Sequence, residues 1–385
     1  MTTPSHDVLG DGTSGPGTPG GPHDPAHVTG GVTPRGVGRP GALPAVLLTA
    51  TFVAIALAAA LTFVGLPYVV MSPGPATNIL GEVDGKPVLS VDGASTYPTA
   101  GTLDFTTVSV EGGPGVKVTV YDLGRAWLSQ AEEVLPEEQV FPPDADEEQV
   151  QEEGAAEMAG SQSVATATAL RALGRDVPEL VVIAAVPDGS PSAGVFEPGD
   201  VLVSVDGVPA ASADAVRAAV QEHGPGESIP VVVRRDGAER TVTARTAEAD
   251  GRTVIGVSLR LDYDLPVDVT INTGSVGGPS AGLMFSLAIY DVLTPGELNG
   301  GKDVAGTGTL EDDGSVGPIG GIRQKVVGAR EAGAEFFLAP AENCAELEGA
   351  VPDGLEVLRV ASFDEGLASV EAIASGDTAS LPTCG

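Results

Sequence analysis

The chain has 385 residues, enough for two or three domains with separate cores. Its 53 Asp and Glu residues outnumber 19 Lys and Arg, and the net charge of -34 excludes a nucleic-acid binder that works through basic patches. Four histidines (His6, His23, His27, His223) and two cysteines (Cys344, Cys384) are too few for a zinc finger or a histidine-rich metal centre, so no metal or cofactor is expected.

Residues 1–41 are rich in Gly, Pro, Thr and His without apolar periodicity, which predicts a disordered tail. Its three histidines have no helix or strand to fix a ligand geometry. From Pro40 to Gly81 there is no Asp, Glu, Lys or Arg, and Ala42–Leu66 is almost wholly apolar. That stretch is long enough to cross a ~30 Å hydrocarbon core as a helix. The apolar run continues to Val70, so a transmembrane helix is expected over 42–70. Arg35 and Arg39 precede it, while Glu82 and Asp84 follow, which puts the tail in the cytoplasm and the body outside the cell membrane. The competing reading is a signal peptide cut near Ala58-Ala59-Ala60; the length of such a leader favours a retained anchor.

Residues 102–110 and 116–121 are β-branched and bounded by Gly-Gly-Pro-Gly, as strands would be. Glu132 to Glu157 holds 11 acidic residues and no Lys or Arg, the pattern of a solvated surface loop. Asp144-Ala145-Asp146 lacks the rest of a calcium loop. Residues 158–173 read as a helix closed by Gly174.

From Leu180 to about Thr246 short strands alternate with one helix. Gly199–Gly207 gives a strand ending in an Asp206-Gly207 turn, Ser212–Glu222 a helix, and Asp236-Gly237 a second hairpin turn. This arrangement resembles a PDZ domain of the kind found in bacterial proteases, placed at 176–249. The resemblance implies capture of extended peptides by strand addition. No Gly-Leu-Gly-Phe type loop precedes Val181-Val182-Ile183, which leaves a role as rigid spacer open.

Gly277-Gly278-Pro279-Ser280-Ala281-Gly282 precedes an apolar helix expected to begin at Ser280. A serine there meets the positive end of the helix dipole and free N–H groups that can stabilise an oxyanion. The plainer reading is an N-cap. The Gly-x-Ser-x-Gly spacing also fits an α/β-hydrolase elbow, but no histidine follows His223, and His-Glu-x-x-His is absent. A serine nucleophile therefore needs another base. Lys325 sits on a predicted helix with Ile322, Val326 and Ala329 near its face, where apolar surroundings lower a lysine pKa towards the useful range. Taken alone, Lys325 reads more readily as an ordinary surface residue, and the assignment rests on its coupling to Ser280.

The stretches GGPSAGLMFSLAIYDVLTPG and VAGTGTLEDDGSVGPIGGIRQKVVGAREAGAEFFLAPAENC resemble the proteolytic domain of Lon proteases, most closely the membrane-anchored, PDZ-containing Lon-like enzymes without an ATPase module. The resemblance implies an α+β fold, with a Lon-type proteolytic domain at 250–378, its first part at 72–175, and the PDZ domain inserted or packed beside it. It implies Ser280 as nucleophile, Lys325 as general base, Thr307 as the residue that orients the lysine, and backbone around Gly278 and Ser280 as oxyanion support. Thr309 stands where ATP-dependent members have glutamate, so that contact does not carry over. The same likeness implies polypeptide substrates and a hexameric ring. Gly296–Asp303 nearly matches a P-loop, but Asp303 replaces the magnesium-binding hydroxyl, so ATP-independent action is expected. Cys344 and Cys384 in an exported body suggest one disulfide. The function expected is a Ser–Lys endopeptidase. Its rivals are a C-terminal-processing Ser–Lys protease and an inactive PDZ adaptor.

Overall fold

The computed structural model describes residues 42–83, 85–143 and 145–384; the tail expected over 1–41, with Arg35 and Arg39, lies outside them, as do Asp84 and Asp144. The chain divides after Leu57 into two units. In the first, the described residues belong to helix α1 (Ala42–Leu61), whose 20 residues have a mean hydropathy of 2.2 and no buried member. At 1.5 Å per residue it is about 30 Å long, enough to cross a bilayer. The helix stops short of the expected residue 70. Gly65 and Pro67 break it, and Tyr68–Val70 already belong to a strand in which Val69 and Val70 are fully buried.

The second unit opens with β1 (Tyr68–Asn78), β2 (Thr102–Glu111), helix α2 (Val120–Leu128), β3 (Glu133–Pro136) and helix α3 (Glu147–Ala172). Two expectations fail here. Residues 116–121 are not a strand, because Thr119 and Asp122 form a capping box that starts α2. Most of the acidic stretch 132–157 is not a loop; among its described residues only 132, 141–143, 145 and 146 lie outside strands and helices. Its first part pairs with β1, and Asp146 with Gln149 caps α3, extending the expected helix of 158–173 by 11 residues. Glu147 and Glu148 lie in the first helical turn, where the macrodipole favours negative charge.

A second sheet follows, made of β4 (Glu179–Ala185), β5 (Val201–Val205), β6 (Ser228–Arg235), β7 (Ala238–Arg245) and β8 (Ser258–Tyr263), with helix α4 (Ala213–Gln221) packed on it. The strand order is β7-β6-β5-β4-β8. Asp206-Gly207 and Asp236-Gly237 all have positive φ, as two-residue hairpin turns require, and Ser212 caps α4. Strand β8 lies beyond the expected boundary at 249 and completes this sheet by pairing with β4.

The chain then returns to the first sheet through helix α5 (Gly282–Leu293), β9 (Asp303–Gly306), helix α6 (Ile322–Glu331), β10 (Phe336–Pro340), β11 (Glu356–Val360) and helix α7 (Phe363–Ser375). That sheet runs β11-β10-β9-β2-β1-β3; the first four strands are parallel, and β1 is antiparallel to both neighbours. Because its strands come from both sides of the second sheet in sequence, the PDZ-like module is an insertion. One face is covered by α5 and α3, with Leu283, Phe285 and Leu170 buried against Leu103 and Phe105. Phe105 and Phe285 meet edge to face at 5.5 Å. The other face is covered by α6, whose Ile322, Val326 and Ala329 pack with Ala305, Phe337 and Val357. Cys344 and Cys384 are disulfide-bonded with Cα atoms 4.9 Å apart, and the Cys384 N–H donates to Val357 O.

Arg171 joins the two sheets. Its guanidinium donates to the carbonyls of Asp312 and Val177, pairs with Glu179 at 3.2 Å, and lies 5.1 Å from the centre of the Tyr263 ring. The Tyr263 hydroxyl donates to the Asp312 carboxylate.

Candidate active site

The parallel strand β9 ends at Gly306, and the chain turns there through Thr307 and Gly308. Ligand sites in open α/β sheets gather at such carboxyl ends. Helix α5 arrives from one face of the sheet and α6 from the other, and each brings one polar side chain to the tip. From the α6 side comes Lys325, 2% exposed, whose Nζ lies 2.8 Å from Ser280 Oγ and 2.9 Å from Thr307 Oγ1. Thr307 is fully buried, and its hydroxyl donates to Ser280 O at 2.9 Å. With its hydrogen used there, Oγ1 meets Nζ as an acceptor. The lone pair of a neutral Nζ is then left for the Ser280 hydroxyl. Burial lowers the Lys325 pKa to about 7, because no carboxylate compensates the lost hydration.

Helix α5 begins at Gly282 with Ala281 as its N-cap and no side-chain cap bond. Ser280 is therefore not an N-cap and lies one residue earlier than the expected position. Its half-buried side chain is turned to the lysine. Its carbonyl is fixed twice, by Thr307 Oγ1 and by the Gly308 N–H at 2.8 Å, while Leu283 N–H donates back to Gly308 O. Gly308 has φ +149, and a Cβ there would stand 2.7 Å from Val316, so only glycine fits this clasp.

Gly278 differs from expectation. Its N–H donates to Gly154 O in α3 at 2.9 Å and is not free to bind an oxyanion. Among the described residues the N–H groups of Ser280 and Ala281 have no protein acceptor, and these adjoin the hydroxyl. Sequence reading also missed the supports of this loop. Ser161 Oγ donates to Pro279 O at 3.0 Å, from a helix 118 residues away. Nothing local in the sequence ties Gly154 or Ser161 to the serine.

The P-loop-like stretch Gly296–Asp303 runs from helix α5 into strand β9, the reverse of strand-to-helix order. Asn299 folds it, donating to the carbonyls of Thr102 and Lys302 and accepting from Gly301 N–H. His223 belongs to the inserted module, between Asp206 and Glu227. Among the described residues no cluster of three or more His, Cys, Asp or Glu side chains is arranged around a metal position.

A second concavity of about 610 Å³ lies in the inserted module between α4 and the edge strand β8, lined by Val216, Val220, Ile255, Val257 and Leu259. Its apolar-Gly-apolar turn, Ile255-Gly256-Val257, leads into β8, not into Val181–Ile183 where sequence reading sought it. Ser190 and Ser192 hydroxyls hold the carbonyls of Gly256 and Ile255.

Residues 256–371 match the Lon protease (S16) C-terminal proteolytic domain, and residues 156–246 match the PDZ domain. Lon protease 1 of Thermus thermophilus is 35% identical over 104 residues, covering 27% of this chain and 13% of that protein. The Lon protease of Citrifermentans bemidjiense is 31% identical over 131 residues, covering 34% and 16%. The chain thus spans a small fraction of these relatives. Among solved structures, the PDZ domain of an SdrC-like protein from Listeria monocytogenes aligns with 20% identity and a TM-score of 0.20, covering 20% of this chain and 85% of that one. With the matched stretch holding Ser280, Thr307 and Lys325, the chain carries a Lon-type C-terminal proteolytic domain preceded by a PDZ domain.

Proposed function

We propose that the chain is a membrane-anchored serine endopeptidase that cleaves unfolded or exported polypeptides without ATP. The observation that carries this reading is the contact of 2.8 Å between Ser280 Oγ and a lysine amine buried away from any carboxylate. Neutral Lys325 takes the Ser280 proton as Oγ attacks the peptide carbonyl, and the N–H groups of Ser280 and Ala281 receive the oxyanion. The protonated amine then gives its proton to the leaving nitrogen. In the second half the neutral amine activates water against the ester.

The inserted module supplies peptide binding, with an extended segment adding to edge strand β8 over the groove beside α4. Anchoring through α1, with the body outside the cell membrane, and assembly into a homo-oligomeric ring belong to the same proposal. Freedom from ATP is supported by the fold of Gly296–Asp303, whose N–H groups turn inward to Asn299 and Glu297.

The test compares the full chain with its Ser280→Ala and Lys325→Met variants on an unfolded protein substrate in the absence of nucleotide. The chain is expected to cleave and both variants to lose at least ~10³-fold in rate. Equal cleavage by all three would refute the dyad. Absence of cleavage by any would favour a peptide-binding adaptor.

A further inference from the structure

Among the described residues outside α1, most large apolar side chains exposed to solvent lie in two short stretches, 63–68 and 110–128, which meet at one end of the first sheet. Leu66 pairs with Val118, Val70 with Glu111, and Thr119 then caps α2. Helix α2 buries one side only, with Leu123 and Ala126 packed on Val70 and Val118. A helix seated this way is expected to offer water a polar face. Instead it offers Tyr121 (73% exposed), Trp127 (89%) and Leu128 (87%), and the neighbouring stretches add Phe63 (84%) and Val116 (56%). Contiguous apolar surface of this kind marks an interaction site.

The chain's own course identifies the partner. Helix α1 ends at Leu61, and the four residues before Leu66 reach at most about 18 Å. The strand pair that seats α2 is therefore tethered close to the end of the apolar span. Trp and Tyr are the side chains enriched at membrane–water interfaces, and short helices with an apolar outer face lie in that layer. Of the two basic side chains on the rim, Lys117 is exposed without an ion pair among the described residues. Arg125 is already held by Glu111 at 2.9 Å and Glu132 at 2.7 Å.

We propose that α2, with Phe63 and Val116, is a docking face for the lipid bilayer that anchors the chain. Tyr121, Trp127 and Leu128 enter the headgroup layer, drawn by apolar burial. The inference rests on the anchoring reading above.

Trp127 is the chain's single tryptophan, so its emission reports on this face alone. The full chain is reconstituted in phosphatidylcholine vesicles, recovered by flotation, and probed with brominated lipid and with aqueous iodide. The expected result is loss of most Trp127 emission to brominated lipid and little to iodide. The double variant Tyr121→Ser, Leu128→Ser, altered only at exposed positions, should reverse that preference. A floating chain whose Trp127 is quenched by iodide and not by brominated lipid overturns the docking and leaves the anchor standing. Protection from both quenchers would mean that protein, such as a second copy, covers the patch, and overturns it too. A chain that fails to float overturns the anchor and the docking together.

Discussion

If Lys325 works as a neutral base, its proton should be visible both in catalysis and in stability. The perturbation is Lys325→Met, which keeps an unbranched side chain in the same apolar slot and removes the amine. Burial lowers the lysine from its ordinary 10.5 to about 7. Between those values the unfolded chain holds a proton that the native state has given up. Stability must then rise with pH across the window, with the full penalty below about 7 and none above 10.5. A shift of about 3.5 pH units corresponds to a penalty of about 5 kcal/mol, and single-site titration gives a recovery of about 2 kcal/mol between pH 7 and 9. The assay is denaturant unfolding of the chain and of Lys325→Met at both pH values. Groups common to the two proteins cancel in the difference. The chain should gain about 2 kcal/mol on the variant over that interval. Cleavage of an unfolded substrate should rise about tenfold from pH 6 to 8 with a midpoint near 7. A flat difference between the two proteins, or a rate still climbing towards pH 10, would show that Lys325 is charged in the native site and refute the reasoning.

The other predictions concern the supports of the dyad and the frame around it. Thr307→Val keeps the shape but removes the hydroxyl that accepts from Nζ and donates to Ser280 O. Loss of a buried hydrogen bond of about 1–2 kcal/mol predicts a rate lowered about 5–30-fold with KM little changed, read from steady-state kinetics. Gly321 caps α6 at φ +70, and its carbonyl accepts from the Lys325 N–H. A Cβ there would stand 2.6 Å from the stiff Val108 side chain. Gly321→Ala should cost about 2–3 kcal/mol by denaturant unfolding and also lower activity, since α6 must shift. The disulfide closes a loop across a separation of 40 residues, for which chain entropy gives about 4 kcal/mol; Cys344→Ala with Cys384→Ala should lower the unfolding midpoint accordingly. Asp104 is buried on β2 with one carboxylate oxygen unpaired, and burial, with the Asp303 charge adding to it, raises its pKa to about 6. The native state holds that proton between about 4 and 6, so stability is lost as pH rises through this window. Asp104→Asn should stabilise the chain by up to about 3 kcal/mol at pH 8 and by little at pH 4.

Much of the site was legible because its chemistry lies in two short runs. Gly277–Gly282 singles out Ser280 as the candidate, while the apolar neighbours of Lys325 point to it only once it is coupled to that serine. The hairpin turns and Ser212 cap of the inserted module were legible for a similar reason, since their signals span a few residues. What was not legible depends on distant partners. The oxyanion assignment to Gly278 failed because its N–H is taken by Gly154, a contact between segments more than a hundred residues apart. The acidic stretch was misread because charge density outweighed helix propensity; Glu, Gln and Ala are good helix formers, and a capping box at Asp146 was enough to start α3. Residues 116–121 carried a β-branched pattern, yet Thr119 competes for the local N–H groups and turns the chain into a helix. The pairing of β8 with β4 was not legible, because the two are neighbours in space and not in sequence.

That last pairing has a mechanical consequence for the whole unit. Strand β8 is the edge beside the α4 groove, and its final residue is Tyr263. The tyrosine hydroxyl meets Asp312, which sits in the hairpin that leaves the sheet two residues after Thr307. Arg171, from the helix that also holds Pro279 through Ser161, closes the joint from the third side. Two carboxylates and a phenol gathered at one place repel further negative charge, and burial together with the bond to Asp312 holds the Tyr263 pKa above its ordinary value. Arg171 is the cation that makes this grouping tolerable. The inserted module is therefore joined to the first sheet's frame through Arg171 and the Tyr263–Asp312 bond, and α3, which carries Arg171, also holds the loop before Ser280 through Ser161. Order at this joint and order at Ser280 rest on the same helix.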